Sequence, residues 1–185
     1  MSERESSTKR ARNWDAVAAL IAALIGLLAL CVSAYTASIQ RQQVRAQVWT
    51  QLMFANSDTD QALLVLNKGV GPARLESARF FVDGKAQTDW DRVFAALGVT
   101  HQGELRQSSV NSTVLAANER LEYMKLGNAE DWKAFRAQRG RLKARYCYCS
   151  VLDECHVFDQ RAPRREDADT AVARCERSAD EEFTE

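Results

Sequence analysis

An antiparallel β-sandwich with two short helices, preceded by one transmembrane helix, is the mainly-β architecture this sequence predicts. Three observations predict it. Residues 16–34, AVAALIAALIGLLALCVSA, form an uncharged apolar run of nineteen. Beyond residue 47, strand-length apolar segments recur between turn signals such as Gly69 to Pro72 and Asp83-Gly84, the punctuation of an all-β domain. Two segments, 88–98 and 128–140, carry helical periodicity instead. An immunoglobulin-like topology is compatible with this spacing. No cysteine precedes Cys147 in that domain, however, so the inter-sheet disulfide of antibody domains is lacking.

The apolar run is bracketed by Trp14 and Tyr35, about 31 Å apart on a helix rising about 1.5 Å per residue. That matches a hydrocarbon core of roughly 30 Å with an aromatic at each interface. Arg4, Lys9, Arg10 and Arg12 precede it, against Arg41 and Arg45 after it. The positive-inside rule therefore puts residues 1–13 in the cytoplasm as a short tail, 14–35 across the bilayer and the remainder outside. The run exceeds a signal-peptide core, so an uncleaved signal anchor is expected, with cleavage after Ala34 the open alternative. Ala18, Ala22, Gly26, Ala29 and Ser33 share one helix face, a small-residue spacing suited to helix association. Residues 36–47, polar and free of Pro and Gly, extend the helix as a juxtamembrane stalk.

The exported domain is assigned to 48–160. VWTQLMF alternates, and ALLVL (62–66) is a continuous apolar run of the kind found in a buried strand. Asn67, Gly69, Gly71 and Pro72 then turn the chain. A phosphate loop would need a following Lys-Ser/Thr, which is missing, so this is read as a structural turn. ARLESARFFV (73–82) is a strand whose apolar phase slips near Ser77-Ala78, implying a bulge, and Asp83-Gly84 closes a type I′ hairpin. In 88–98, Thr88 can cap, Gly98 can terminate, and Trp90, Val93, Phe94 and Leu97 share a face. In 128–140 Asn128, Trp132, Phe135 and Gly140 repeat the device, and both tryptophans read as core anchors. Two strand-like runs flank a turn at Asn118. In the last strong strand Leu142, Ala144, Tyr146 and Tyr148 alternate with Cys147 and Cys149. The tyrosines are expected to face the core and the cysteines the more polar side. From Arg164 onward four arginines meet eight acidic residues, so 161–185 reads as a stapled segment followed by a solvated, partly disordered acidic tail.

VW (48–49), NKGVGPARLESARFFVDGK (67–85), DW (89–90) and YCSVLDECHVF (148–158) resemble a family of uncharacterised bacterial single-pass inner-membrane proteins with a small exported β-domain. The likeness spans about residues 14–160, and its most specific parts are the N-x-G-x-G-P-A and Y-C-S-x-x-x-x-C stretches. Members often carry Trp where this chain has His156, and Cys147 is extra. The resemblance implies topology and fold, and no activity.

Cys147, Cys149, Cys155 and Cys175 make an even set outside the membrane, which in an oxidising compartment reads as two disulfides. Three pairings exist. A hairpin through SVLDE would set Cys149 opposite Cys155, leaving Cys147 to Cys175, and this pairing is favoured with the others open. Zinc on Cys147, Cys149 and Cys155 with His156 or Cys175 is the alternative, although C-x-C then C-H departs from the usual C-x2–4-C spacing. A redox dithiol would want C-x-x-C at a helix N-terminus. The carboxylate pairs Asp89/Asp91, Asp153/Glu154 and Asp167/Asp169 read as turn and cap chemistry, and His101 and His156 as loop and strand-end residues.

With 25 basic and 25 acidic side chains the chain shows no nucleic-acid footprint. No catalytic residue, metal or cofactor is assigned. The expectation is a bacterial inner-membrane protein with a periplasmic domain that binds or scaffolds without catalysis. Its partners would be the bilayer and a protein, or a second copy, met through the helix or the β-domain. The alternatives are an envelope redox or zinc protein, and a signalling subunit acting through its membrane helix.

Overall fold

The computed structural model describes residues 2–184, with side chains from 14 to 164 and 166 to 184. It divides into two units, 1–46 and 47–185. The first is a continuous helix, α1 (Ser2–Gln47). From Trp14 onward it is exposed, long enough and apolar enough to cross a membrane. The stalk is helical, as its composition predicts. The side chains of Arg4, Lys9, Arg10 and Arg12, which set the expected orientation, lie outside the described residues.

In the second unit the β-sandwich is present. Among the described residues one sheet has the order β1 (Leu52–Ser57), β2 (Ala62–Asn67), β7 (Arg120–Leu126), β5 (Leu105–Gln107). The other runs β10 (Asp169–Val172), β9 (Cys155–Asp159), β8 (Leu142–Cys149), β3 (Ala73–Val82), β4 (Lys85–Gln87), with β6 (Thr113–Leu115) also on β3. All pairings are antiparallel. The run ALLVL is apolar throughout because β2 sits between β1 and β7 and is buried along almost its whole length.

β3 organises the second sheet. Its register against β8 shifts between Leu75 and Ser77, the bulge that the apolar phase slip implies. Val82 pairs with Lys85 across Asp83 and Gly84, both at positive φ, as a type I′ turn requires. β6 and β7 flank the positive-φ residue Asn118, yet they join different sheets, so the chain crosses the sandwich there.

The helices are α2 (Trp90–Leu97) and α3 (Ala129–Gln138). Trp90, Val93, Phe94 and Leu97 are buried, as are Trp132 and Phe135. Two details correct the expectation. The N-cap of α2 is Asp89, whose extended backbone lets its carboxylate accept from Arg92 N at 2.8 Å; Thr88 lies one residue too early and bonds Asp89 instead. Gly140 does not terminate α3 in a left-handed cap. The helix tightens into a 3₁₀ turn, Arg139–Arg141, that feeds β8 directly.

Residues 173–184 are mostly exposed, as expected of an acidic tail, but against the expectation of partial disorder their end is anchored in the sandwich. β4 occupies β3 from Phe80 to Val82 and β6 from Ala73 to Leu75, which leaves Ala78 between them. Asn111 Oδ1 accepts from Ala78 N, and Phe183 N donates to Ala78 O at 3.0 Å. Through this gap Phe183 enters the core, with ring centroids 4.6 Å from Phe80 and 5.1 Å from Trp90. Arg79, nearly buried, binds Glu181 and Glu182 at 2.9 and 3.1 Å. Local charge density predicts the exposure that most of the segment keeps; one aromatic and one buried arginine fix its end in place.

Candidate functional site

β8 places Tyr146 and Tyr148 in the inter-sheet core and Cys147 and Cys149 on the opposite face. That outer face is not the polar surface its alternation suggests. Both cysteines are buried, because the segment carrying Cys175 lies over them. Cys147 is bonded to Cys175, with Cα atoms 5.6 Å apart. Cys149 is bonded to Cys155, its register partner on β9, with Cα atoms 4.0 Å apart. The intervening turn closes through Ser150 N to Glu154 O at 2.9 Å and Asp153 at positive φ. Neither disulfide links the two sheets.

The sulfurs of Cys149, Cys155 and Cys175 all lie within 4.8 Å of one another. Metal ligation needs thiolates, and in this oxidation state none of the three is one. His156 is turned to Asp169, Nδ1 lying at hydrogen-bond distance, 3.2 Å, from Oδ1, and its ring stacks against Tyr148. Two of the other acidic residues singled out have structural partners as well. Asp89 caps α2, and Asp153 receives Arg74 Nη2. Cys31, in α1, is free and exposed.

The turn after β2 is built around Asn67. Its side chain is fully buried; Nδ2 donates to Gly71 O at 2.8 Å and to the carbonyls of Leu115 and Ala116 at 3.1 Å, and Oδ1 accepts from Gly69 N. Lys68, Val70 and Gly71 N–H groups bond back to Gln51 and Trp49. A Cβ at Gly69 would lie 2.4 Å from Trp49 O, and one at Gly71 2.4 Å from Val48 O. Both glycines are therefore demanded by close backbone approach. Pro72 separates Gly71 from β3. Ala18, Ala22, Gly26 and Ala29 are exposed on α1, and a Cβ at Gly26 would meet nothing within 4 Å.

Between the sheets lies a cavity of about 510 Å³ that no sequence expectation anticipates. Phe54 of β1 forms one side, stacked on Tyr146 at 3.4 Å with the planes 4° apart. Phe158 of β9 lies 6.3 Å from Phe54, tilted 15°. The hydroxyls of Tyr123 and Tyr146 meet at 3.3 Å. Burial pushes Tyr123 up to about 12, a rise that the Tyr146 hydrogen bond and the neighbouring Arg139 charge moderate; burial and Tyr123 push Tyr146 well up. Arg139, Lys143 and Arg164 also line the space. Arg139 Nη1 is buried without a hydrogen-bond partner among the described residues. The sole signal for this site is the cluster of basic residues in QRGRLKAR, which reads as the solvated lead-in to a strand.

Among the carboxylates, Asp60 is held low by Arg120 and Asp83 by Arg141. At Asp159 burial pushes upward, yet the bonds from Arg161 prevail and its carboxyl is lowered.

No protein-family model, curated protein or solved structure matches the chain.

Proposed function

We propose that this is a membrane-anchored, non-catalytic binding or scaffolding protein of the bacterial cell envelope. In this reading residues 1–13 face the cytoplasm, α1 anchors the chain in the inner membrane, and the β-sandwich stands in the periplasm. The observation that carries it is the pair of buried disulfides in a domain that follows a helix of spanning length. Disulfides persist where thiols are not kept reduced. A cytosolic placement would keep the four cysteines as thiols and leave the C-terminal segment without its covalent tie to β8. The likeness to single-pass envelope proteins with small exported β-domains points the same way.

The test is protease accessibility in spheroplasts, combined with alkylation before and after reduction and in-cell crosslinking through the β-domain. The expected result is a digested β-domain, cysteines 147, 149, 155 and 175 alkylated only after reduction, and a discrete crosslinked partner or second copy. A protease-protected domain with four free thiols would sink the envelope reading. A correctly oriented domain that crosslinks to nothing would sink scaffolding.

A further inference from the structure

We infer that the inter-sheet cavity is a binding site for a small organic anion with a flat aromatic body, its carboxylate taken by Arg139. Volume, charge and shape carry this. The space of about 510 Å³ falls in the range of small-molecule pockets, which run about 300–1,000 Å³. Two packed sheets rarely leave such a space between them, since protein interiors are otherwise close-packed.

Charge decides the sign of the ligand. Arg139 Nη1 is buried and unpartnered among the described residues. A guanidinium cannot shed its proton to escape that cost, so an acceptor entering the cavity relieves it. Arg164 also borders the cavity but is exposed and paired with Glu166 at 3.5 Å, and Lys143 lies on the outer face of β8, so Arg139 carries the charge. The acidic residue of the lining, Asp159, is already engaged by Arg161 at 2.7 Å and Arg145 at 3.6 Å. The field in the cavity is therefore positive. The paired hydroxyls of Tyr123 and Tyr146 hold two protons and use one between them, so the second is available to an acceptor.

Shape decides the body. Phe54 stacks face to face on fully buried Tyr146, and Phe158 is inclined 15° to Phe54, so the part-exposed Phe54 and Phe158 rings form the wall on which a flat unsaturated skeleton packs better than a kinked chain. Phe54 belongs to β1 and Phe158 to β9, both near the open side of the sandwich, so a ligand reaches the wall without passing through either sheet. Binding there requires only the folded β-domain, and it holds or fails whichever side of the membrane the domain occupies.

The experiment is calorimetric titration of the full chain in nanodiscs, with empty discs subtracted, using 2-naphthoate and its neutral counterpart 2-naphthamide. The expected result is saturable binding of naphthoate, one per chain, with naphthamide weaker by about tenfold or more, as loss of a charge-assisted contact predicts. Arg139→Met should bring naphthoate down to the naphthamide level while the melting temperature holds or rises, because a buried donor without a partner has been removed. Should that variant fail to fold, the acid–amide comparison on the unaltered chain still decides. Absence of saturable naphthoate binding, equal affinity for acid and amide, or full affinity in a folded Arg139→Met chain would each overturn the assignment.

Discussion

Cys149 Sγ lies 3.6 Å from Cys175 Sγ, although each is bonded to a different cysteine. Two disulfides thus touch, and thiol–disulfide exchange needs only that one be opened. A reductant that cleaves Cys149–Cys155 leaves itself oxidised and frees both thiolates. The Cys149 thiolate then stands beside Cys175 Sγ. Its attack forms Cys149–Cys175 and expels Cys147 as the leaving thiolate. Limiting reductant followed by acid quench and alkylation should therefore yield a Cys149–Cys175 peptide, resolved by cleavage after Tyr148. Recovery of native pairs and fully reduced chains alone would show that the contact does not react.

The two bridges should differ in worth. Cys147–Cys175 closes a separation of 28 residues and Cys149–Cys155 one of six. In the chain-entropy account removal of the first costs about 3–4 kcal/mol and of the second about 2 kcal/mol. Denaturant unfolding of the Cys147→Ser/Cys175→Ser and Cys149→Ser/Cys155→Ser double variants tests the order. The first variant should also expose the C-terminal segment to protease.

Phe183→Ala tests whether that segment belongs to the core. The ring is almost fully buried against Phe80 and Trp90, so truncation should cost about 3–5 kcal/mol. A tail that merely covers the surface would lose less than about 0.5 kcal/mol.

Local chemistry explains which features are legible in the sequence. The bulge in β3, the Asp83-Gly84 hairpin and the burial of Trp90 and Trp132 are each signalled by residues within a few positions of one another; the turn after Asn67 is signalled in the same way by its glycines and proline, although the bonds that lock it reach Leu115 and Ala116. The features that escape such reading depend on distance along the chain. Phe183 fills a gap left by β4 (Lys85–Gln87) and β6 (Thr113–Leu115), both far upstream, and nothing near Phe183 announces that gap. β10 and β5 are short and mostly exposed, so they lack the apolar alternation that marks a strand. The cavity is a property of two sheets together: Phe54 and Arg139 meet only once the sandwich has closed.

Gly71→Ala should destabilise the domain by about 1–3 kcal/mol, the cost of forcing atoms into filled space, since its Cβ would stand 2.4 Å from Val48 O. Gly140→Ala is the internal control. It meets nothing within 4 Å and has no positive φ, so it should be neutral or stabilise by about 0.4–1 kcal/mol through the unfolded chain. Similar effects at both sites would refute close approach as the reason for Gly71.

The Tyr123–Tyr146 pair predicts a loss of stability in alkali. Burial raises Tyr123 from 10.0 to about 12 and Tyr146 well above its ordinary value. The unfolded chain therefore releases these protons first. Stability from the neutral hydroxyls is complete below about pH 10 and declines as pH rises from there through the folded values, because the native state then binds more protons than the unfolded one. For Tyr123 the decline amounts to about 2–3 kcal/mol by pH 12, since each pH unit between the unfolded and folded values costs about 1.4 kcal/mol. The Tyr123→Phe/Tyr146→Phe variant removes both partners together and should fold nearly as well at neutral pH. Its unfolding free energy should fall less steeply than that of the unaltered chain between pH 9 and 11, and parallel curves would mean the hydroxyls are wetter than their burial implies.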